Sequence, residues 1–181
     1  MCAALPALAA EPRLSAPQEV RGLLARYLEL GNLAEGDDTD AHTSRLALLR
    51  RLERDTRELL TTEGYFSPTV SLLDENGDGG PPVLRVDPGP RTTVTSVNIE
   101  IRGDIDPARR SALLAAWPLA VGEPLRQVVW EEGKQALLRD LVASDFAAAR
   151  LTHSRAEVDP EARSADLQLV YETRSEERRV G

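Results

Sequence analysis

The sequence contains one cysteine, Cys2, among its 181 residues. A single cysteine excludes a disulfide framework within the chain and a cluster of cysteine ligands for a metal ion. Aromatic residues make up only 4% of the chain, so leucine, valine and alanine must fill most of its hydrophobic core. The sequence has no run of about 18 apolar residues, and we therefore expect no membrane-spanning helix in it.

Basic residues are outnumbered by acidic ones. The 22 lysine and arginine residues stand against 30 aspartate and glutamate residues, which gives a formal net charge of −8. A protein that binds nucleic acid needs a concentrated positive face to meet the phosphates. We therefore expect no nucleic acid among the partners of this chain.

The sequence motifs of known catalytic and cofactor sites are missing as well. The two histidines, His42 and His153, have no neighbour at the spacing of a zinc site. The Gly-x-Ser-x-Gly motif, the phosphate-binding loop and the dinucleotide fingerprint do not occur. We expect a protein that is not an enzyme, with no catalytic residue, no metal site and no cofactor.

Acidic residues cluster in two places, 35–40 and 74–78. The second cluster has oxygen-bearing side chains at alternating positions, as a calcium-binding loop has. Six positions after Gly77, where such a loop carries its closing glutamate, this chain has Val83. We predict a solvated turn at 74–78, with weak calcium binding as the alternative.

The first half of the chain shows a pattern of two helices followed by a hairpin. Ser15 and Gln18 have the spacing of a helix-capping pair. Apolar residues then recur at helical spacing, namely Val20, Leu23, Leu24, Tyr27 and Leu28. A second helix is predicted over 41–63, and Gly64 is placed to end it. Two short apolar strands within 69–86, separated by turn-forming residues, predict a hairpin.

The second half repeats this order behind a clear strand. Polar and apolar residues alternate over 96–102. Asp106 and Pro107 are suited to the cap and the first position of a helix. A further helix is predicted over 126–142 and a hairpin over 151–171, which completes a β-α-α-β-β order. In the first half only Arg13-Leu14 or the leader could supply the opening strand.

Three segments resemble motifs of the POTRA domain, the periplasmic module of the outer-membrane BamA/TamA superfamily. Residues 59–68 resemble the segment that ends the second POTRA helix, 86–91 resemble the linker after the third strand, and 97–103 resemble the opening strand of the next domain. The resemblance covers 16–173 and is greatest to the TamA family. The residues that carry the structural motifs are Gly64, Tyr65, Phe66, Pro88, Gly89 and Pro90.

The expected fold is α+β, with two tandem POTRA-like β-α-α-β-β domains. Each domain has a three-stranded mixed sheet packed against two helices. The predicted boundaries are 1–14 for a signal-peptide remnant or disordered segment, 15–91 for the first domain, 92–173 for the second, and 174–181 for a non-native tail. The resemblance implies a fragment of a protein whose β-barrel, embedded in the outer membrane, is missing.

The resemblance also implies a function. Such a chain lies in the periplasm and binds unfolded outer-membrane or autotransporter polypeptides, which add as a further strand to an open sheet edge. A TamB-like subunit anchored in the inner membrane is the implied partner. The docking edge is expected on the second strand of each unit, at Thr69, Val70, Ser71, Leu72, Leu73, Thr152, Ser154, Ala156 and Val158.

Three alternatives remain open at this point. The first is the POTRA region of a BamA-like or two-partner-secretion transporter, which the number of POTRA units in the full protein would distinguish. The second is a small secreted enzyme that acts through a carboxylate, for which a pocket with converging polar groups would be required. The third is a cell-division protein of the FtsQ type, which two units and no membrane-spanning helix make the least favoured.

Overall fold

A computed structural model describes residues 13–28, 41–73, 83–143 and 146–173 of the chain, without the side chains of 41–49 and Leu72. Residues 1–12 of the predicted leader, both acidic clusters and the predicted non-native tail therefore lie outside the described residues, as does the side chain of His42. The predicted end of the leader at residue 14 is wrong, because Arg13 and Leu14 belong to a strand of the first unit. The chain divides into two compact units. The first takes in the residues up to Thr61 together with Tyr65–Gly89, and the second takes in Thr62–Gly64 and the chain from Pro90 onward.

The first unit contains a three-stranded mixed sheet and two helices. Its elements are β1 (Arg13–Ser15), α1 (Gln18–Tyr27), α2 (Ala41–Thr62), β2 (Thr69–Leu73) and β3 (Val83–Asp87). The strand order is β1-β3-β2, so that the last strand of the unit lies in the middle. Strand β1 is parallel to β3, and β2 is antiparallel to it.

The opening strand of the first unit is short but present. It pairs Arg13, Leu14 and Ser15 with three consecutive residues of β3. Three residues are too few to show the alternation by which strands are recognised in a sequence. The predicted helix cap at Ser15 is wrong, because Ser15 belongs to β1. Helix α1 begins after Pro17, which makes no side-chain capping bond.

Apolar side chains from both helices cover one face of the first sheet. Val20 and Leu24 of α1 and Leu60 of α2 are buried in one cluster with residues of β2 and β3. Tyr27, which the helical spacing placed on the same face, is 61% exposed instead. Tyr27 is the last residue of α1.

The second unit repeats the plan with longer strands. Its elements are β4 (Thr93–Arg102), α3 (Pro107–Ala115), α4 (Gln127–Ala143), β5 (Arg150–Asp159) and β6 (Ser164–Glu172). The strand order is β4-β6-β5, and again the last strand is central. Strand β4 is parallel to β6, and β5 is antiparallel to it.

The predicted start of α3 is confirmed in detail. The Asp106 side chain accepts hydrogen bonds from the backbone N–H groups of Ala108 and Arg109, at 2.9 and 3.0 Å. Pro107 occupies the first helical position, where its missing N–H costs nothing. A cap of this kind stabilises a helix by about 1 kcal/mol.

The core of the second unit lies between β6 and the two helices. Alternate residues of β6 are buried, namely Ala165, Leu167, Leu169 and Tyr171, while Asp166 and Gln168 are exposed on the other face. The rings of Trp117 and Trp130 meet edge to face at 5.9 Å between centroids. A Cβ atom at Gly133 would lie only 3.1 Å from the Trp117 ring. The glycine therefore lets the backbone of α4 lie close to that ring.

The segment Thr62–Gly64 is anchored to the second unit by backbone and ionic contacts. Gly64 accepts a hydrogen bond from Thr92 N at 2.8 Å. The Glu63 carboxylate accepts two hydrogen bonds from the Arg126 guanidinium, at 2.9 and 3.2 Å. This bond and the charge of Glu63 raise the pKa of Arg126.

The predicted fold class is confirmed. The chain is α+β, with two successive β-α-α-β-β units. Each unit consists of two helices and a three-stranded mixed sheet.

Candidate polypeptide-binding edges

The residues predicted to dock other chains lie on strands at the borders of the two sheets. Thr69–Leu73 forms β2, and the other predicted residues lie within β5. Each of these strands pairs antiparallel with the central strand of its sheet and forms one border. In the part of the chain that the structure describes, neither strand makes backbone hydrogen bonds to any segment besides its central strand.

Strand β5 is exposed along most of its length and on both of its faces. His153 to Glu157 are all exposed, whereas Leu151 and Val158 near the ends are half-buried. The cross-strand partners of Ser154, Ala156 and Val158 are Leu169, Leu167 and Ala165, which are buried under the helices. These three predicted residues therefore lie on the helix side of the sheet but beyond the area that the helices cover.

A β-bulge interrupts β5 at Thr152. Leu151 pairs with Tyr171 and His153 pairs with the next residue, Val170, so Thr152 is the extra residue. Its hydroxyl donates a hydrogen bond to Val170 O at 3.1 Å. In a regular strand Thr152 would share a face with Ser154, and the bulge breaks that alternation. The regular part of the free border runs from His153 to Asp159.

A second bulge lies across β6, in β4. The register shifts between Val94 and Ser96, which leaves Thr95 as the extra residue. The Thr95 hydroxyl lies 3.1 Å from Ala165 O and 2.9 Å from the Asp166 carboxylate, and Ser96 donates to the same carboxylate oxygen at 2.8 Å. The hydroxyls of Ser96 and then Thr95 lower the pKa of Asp166.

The border formed by β4 is partly occupied by the chain itself. Val94 N donates to Glu123 O and Gly122 N donates to Val94 O, both at 2.8 Å, and Leu125 N donates to Thr92 O at 3.0 Å. The loop before α4 therefore pairs with the start of β4 as a short further strand. Of the two borders of this sheet, β5 is the one that no described segment covers in this way.

The border formed by β2 is shorter. Val70 is buried, Thr69 is exposed, and Ser71 and Leu73 are half-buried. Five residues pair in register with β3, from Thr69 opposite Asp87 to Leu73 opposite Val83. With two fewer regular residues than the border of β5, it offers an added strand fewer backbone groups.

The exposed strands of the second unit carry ion pairs between residues two apart. Arg102 and Glu100 of β4 form a bidentate pair with both contacts at 2.9 Å, and the bond to Arg102 lowers the pKa of Glu100. Arg155 and Glu157 of β5 are 3.3 Å apart and remain 59% and 62% exposed. Charged side chains of this kind discourage random pairing of open strand edges.

The residues predicted as structural motifs lie where the chain leaves α2 and β3. Gly64 has a φ of +91°, and a Cβ atom there would overlap Leu125 O. Tyr65 is buried in the core of the first unit, and Phe66 is half-buried beside it. Pro88 is buried, and Gly89, with a φ of +68°, donates its N–H to the Asp87 carboxylate at 3.0 Å. Pro90 is exposed.

Residues with the chemistry for catalysis or metal binding are scattered. Among the described residues, no three or more histidine, cysteine, aspartate or glutamate side chains come together in a way that could hold a metal ion. His153 is exposed on β5. Nor does any described helix have the length and apolar character required to cross a membrane.

Several contacts that shape the two borders had no recognisable signal in the sequence. The bulges at Thr95 and Thr152 depend on the register between two strands, which neither strand shows by itself. The bond from the Tyr171 hydroxyl to Lys134 O, at 3.1 Å, likewise joins β6 to α4 across the fold. Gly122 and Pro124 are typical of a helix break, but nothing local indicates that this loop pairs with the start of β4.

No protein-family model matches this sequence, and none of the curated proteins matches it. Solved structures do resemble it. One is POTRA domains 3–5 of BamA from Haemophilus influenzae, with a TM-score of 0.43 and 16% identity over 92% of this chain and 67% of that one. Another is BamA from Haemophilus ducreyi lacking POTRA domains 1–3, with a TM-score of 0.45 and 18% identity over 93% of this chain. This chain spans only 30% of the length of that structure.

Two further likenesses come from other proteins. POTRA domains 1–2 of the periplasmic domain of Omp85 from Anabaena give a TM-score of 0.46 and 15% identity, over 90% of this chain and 94% of that one. CdiB from Escherichia coli gives a TM-score of 0.38 and 13% identity, over 88% of this chain and 26% of that one. The sequence identities of all four structures lie far below those of close relatives.

Proposed function

We propose that this chain is a periplasmic polypeptide-binding module of an outer-membrane assembly or translocation factor. It holds extended client chains by adding them as a fourth strand to the borders formed by β2 and β5. The observation that carries this proposal is the position of β5: a ten-residue strand at the border of its sheet, exposed on both faces over His153 to Glu157. The motif resemblance at 59–68, 86–91 and 97–103 supports the same function.

Binding through the backbone explains how one border can serve many clients. An open strand presents N–H and C=O groups that pair with any extended chain, whatever its side chains. The side chains of Ser154 and Ala156 are small, and they leave room for client residues on the helix side of the sheet. Client binding of this kind is broad in sequence and modest in affinity, because the client must give up its conformational freedom on binding.

A pair of proline variants tests the proposal at β5. The N–H groups of neighbouring residues in a strand point to opposite sides, so one of Arg155 and Ala156 donates to β6 and the other points away from the sheet. Proline at the position that points to β6 breaks the ladder and lowers the melting temperature. Proline at the other position leaves the fold stable but removes one donor from the free border.

We expect the stable variant of this pair to bind an extended peptide about 3- to 10-fold more weakly, the effect of one backbone hydrogen bond. The probe is a fluorescent peptide with the alternating apolar and polar residues of an outer-membrane strand, titrated by anisotropy. Ser71→Pro gives the same measurement for β2. Wild-type affinity in every folded proline variant would contradict strand addition at these borders.

The finer assignment is to a TamA-like protein that serves autotransporters and works with a TamB-like subunit. It rests on the order and spacing of the three motifs. Copurification of the tagged chain with a TamB-like protein from its own host, and not with the partners of a BamA-like protein, is the expected result. The opposite preference would assign the chain to the BamA-like or two-partner-secretion group and leave the binding proposal standing.

A further inference from the structure

The regular part of the free border of β5 has a charge pattern that reverses about its centre. From His153 to Asp159 the sequence reads His-Ser-Arg-Ala-Glu-Val-Asp. His153 and Arg155 precede Ala156, and Glu157 and Asp159 follow it at the same distances. A strand with such a pattern is complementary in charge to a second copy of itself running in the opposite direction.

The four charged or titratable residues lie on one face of the sheet. Their partners in β6 are Val170, Gln168, Asp166 and Ser164 for His153, Arg155, Glu157 and Asp159 respectively. These positions alternate with the buried residues of β6, so the four side chains lie on the face opposite the helices. The Arg155 and Glu157 side chains are about three-fifths exposed and can reach past the border of the strand.

The backbone allows the symmetric alignment that this pattern requires. In an antiparallel pair, residues whose backbone groups point outward must face residues that also point outward. Outward-pointing residues alternate along a strand. Two facing residues of identical strands must therefore both have odd numbers or both have even numbers. Placing Ala156 opposite its own copy meets this condition, and it sets Arg155 opposite Glu157 and His153 opposite Asp159.

Neighbouring alignments are disfavoured by charge. A slip that centres the pair on Arg155 sets two guanidinium groups opposite each other, and a slip that centres it on Glu157 sets two carboxylates opposite each other. Like charges directly opposite across strands are destabilising, and opposite charges are stabilising. The charges therefore select the alignment centred on Ala156, where the two facing side chains are also small enough to fit together.

We propose that β5 binds a second copy of this chain, antiparallel and centred on Ala156, so that the sheets of two second units join into one six-stranded sheet. The contact is isologous, as in most symmetric dimers. The same border that would receive a client is then closed in the dimer. The dimer does not require client binding, because the backbone groups and the charges of β5 supply all the contacts that join the two copies.

Two charge reversals test the pairing. In Arg155→Glu the dimer would set glutamates at 155 and 157 opposite each other, and in Glu157→Arg it would set arginines there. We expect each variant of the full chain to dissociate at least about tenfold more readily than the wild type in sedimentation velocity. An equimolar mixture of the two restores the opposite charges at both positions, and we expect it to form a heterodimer.

The control for net charge is Arg139→Glu, which makes the same change at an exposed position of α4. We expect it to dimerise as the wild type does, and circular dichroism melting confirms that each variant is folded. A heterodimer from two variants that do not self-associate cannot result from damage to the fold. A wild type that stays monomeric at the highest attainable concentration, or variants that self-associate unchanged, would overturn the proposal.

Thiol cross-linking tests the alignment itself. With Cys2→Ser as background, Ala156→Cys places two thiols opposite each other, and a short bifunctional cross-linker should give a covalent dimer. Ser154→Cys sets each thiol opposite Val158 and should give little of it. Equal cross-linking at the two positions would refute the alignment. The charge reversals leave the backbone groups of the border in place, so titration of these variants with the extended peptide separates failure of the dimer from failure of client binding.

Discussion

Thr95 and Thr152 lie near the starts of the two strands that flank β6, and they face opposite ends of β6. Each is the extra residue of a β-bulge, and each hydroxyl lies 3.1 Å from a carbonyl oxygen of β6, that of Ala165 or that of Val170. The bulged strand bends and twists at such a point. Each border of the second sheet is therefore interrupted near the start of its own strand, and the regular border of β5 begins only at His153.

Deletion of Thr152 should lengthen that regular border. Leu151 and His153 already face consecutive residues of β6, so removal of the extra residue keeps every side chain on its present face. We expect a folded protein with stronger self-association, measured by light scattering against concentration. Thr152→Val is the matched control, since it keeps the bulge and removes only the hydroxyl bond. Equal self-association of the two variants would show that the bulge does not limit edge pairing.

Gly64→Ala should destabilise the protein by about 2–4 kcal/mol. The residue has a φ of +91°, which costs a side chain about 1–3 kcal/mol, and the added Cβ would also overlap Leu125 O. Gly122→Ala separates these two effects, because Gly122 has a φ of +96° and nothing within 4 Å of its Cβ position. Urea denaturation should show the larger loss in Gly64→Ala. A loss that is equal in both variants would leave only the backbone conformation as the cause.

Thr56→Val should stabilise the first unit by about 1 kcal/mol. Thr56 is fully buried, and its hydroxyl has no hydrogen-bond partner among the described residues. A methyl group in the same place removes the cost of that buried hydroxyl. The control is Thr61→Val in the same helix, where the hydroxyl is exposed and donates to Arg57 O at 2.8 Å. Thermal unfolding should rank Thr56→Val above the wild type and Thr61→Val at or below it.

The carboxylate of Asp166 should make the stability of the second unit dependent on pH. Its pKa is lowered in the folded protein by the hydroxyls of Ser96 and Thr95. A lowered pKa contributes stability above the ordinary aspartate value of about 3.9, and that stability is lost as the pH falls through the folded value. We expect urea unfolding between neutral and acid pH to show a smaller loss of stability in Asp166→Asn than in the wild type.

Ser96→Ala provides the matched test of the cause. It removes the larger of the two hydroxyl contributions and leaves the carboxylate in place. Its pH dependence should be flatter than that of the wild type, and the double variant should be little flatter than Asp166→Asn alone. Independent, additive effects of the two substitutions would mean that the pKa of Asp166 is set by other groups.

Local signals in the sequence predicted the elements of both units, whereas contacts between distant strands determined the details. The cap at Asp106 was predictable because its partners lie two and three residues away. The cap at Ser15 was mispredicted because the parallel pairing of β1 with β3 competes for the same residue. Tyr27 fitted the helical spacing but is exposed at the end of α1.

The candidate site shows the same division. The alternation of polar and apolar residues and the turn signals were sufficient to predict both hairpins, and thus the strands β2 and β5. The bulge at Thr152 was not predictable, because register is a property of two strands and not of one. The same holds for the loop that covers the start of β4, whose pairing partner lies far from it in sequence.

The position of the last strand has a consequence for how each unit is made. Because β4 and β5 both pair with β6 and not with each other, neither has another strand of its sheet to pair with before β6 is synthesised, and β4 has only the loop before α4. On the ribosome, the helices of the second unit can emerge and form turns, but its sheet assembles in one step at the end. A nascent chain arrested before Ser164 should therefore have no part of that sheet, instead of a sheet that is one strand short.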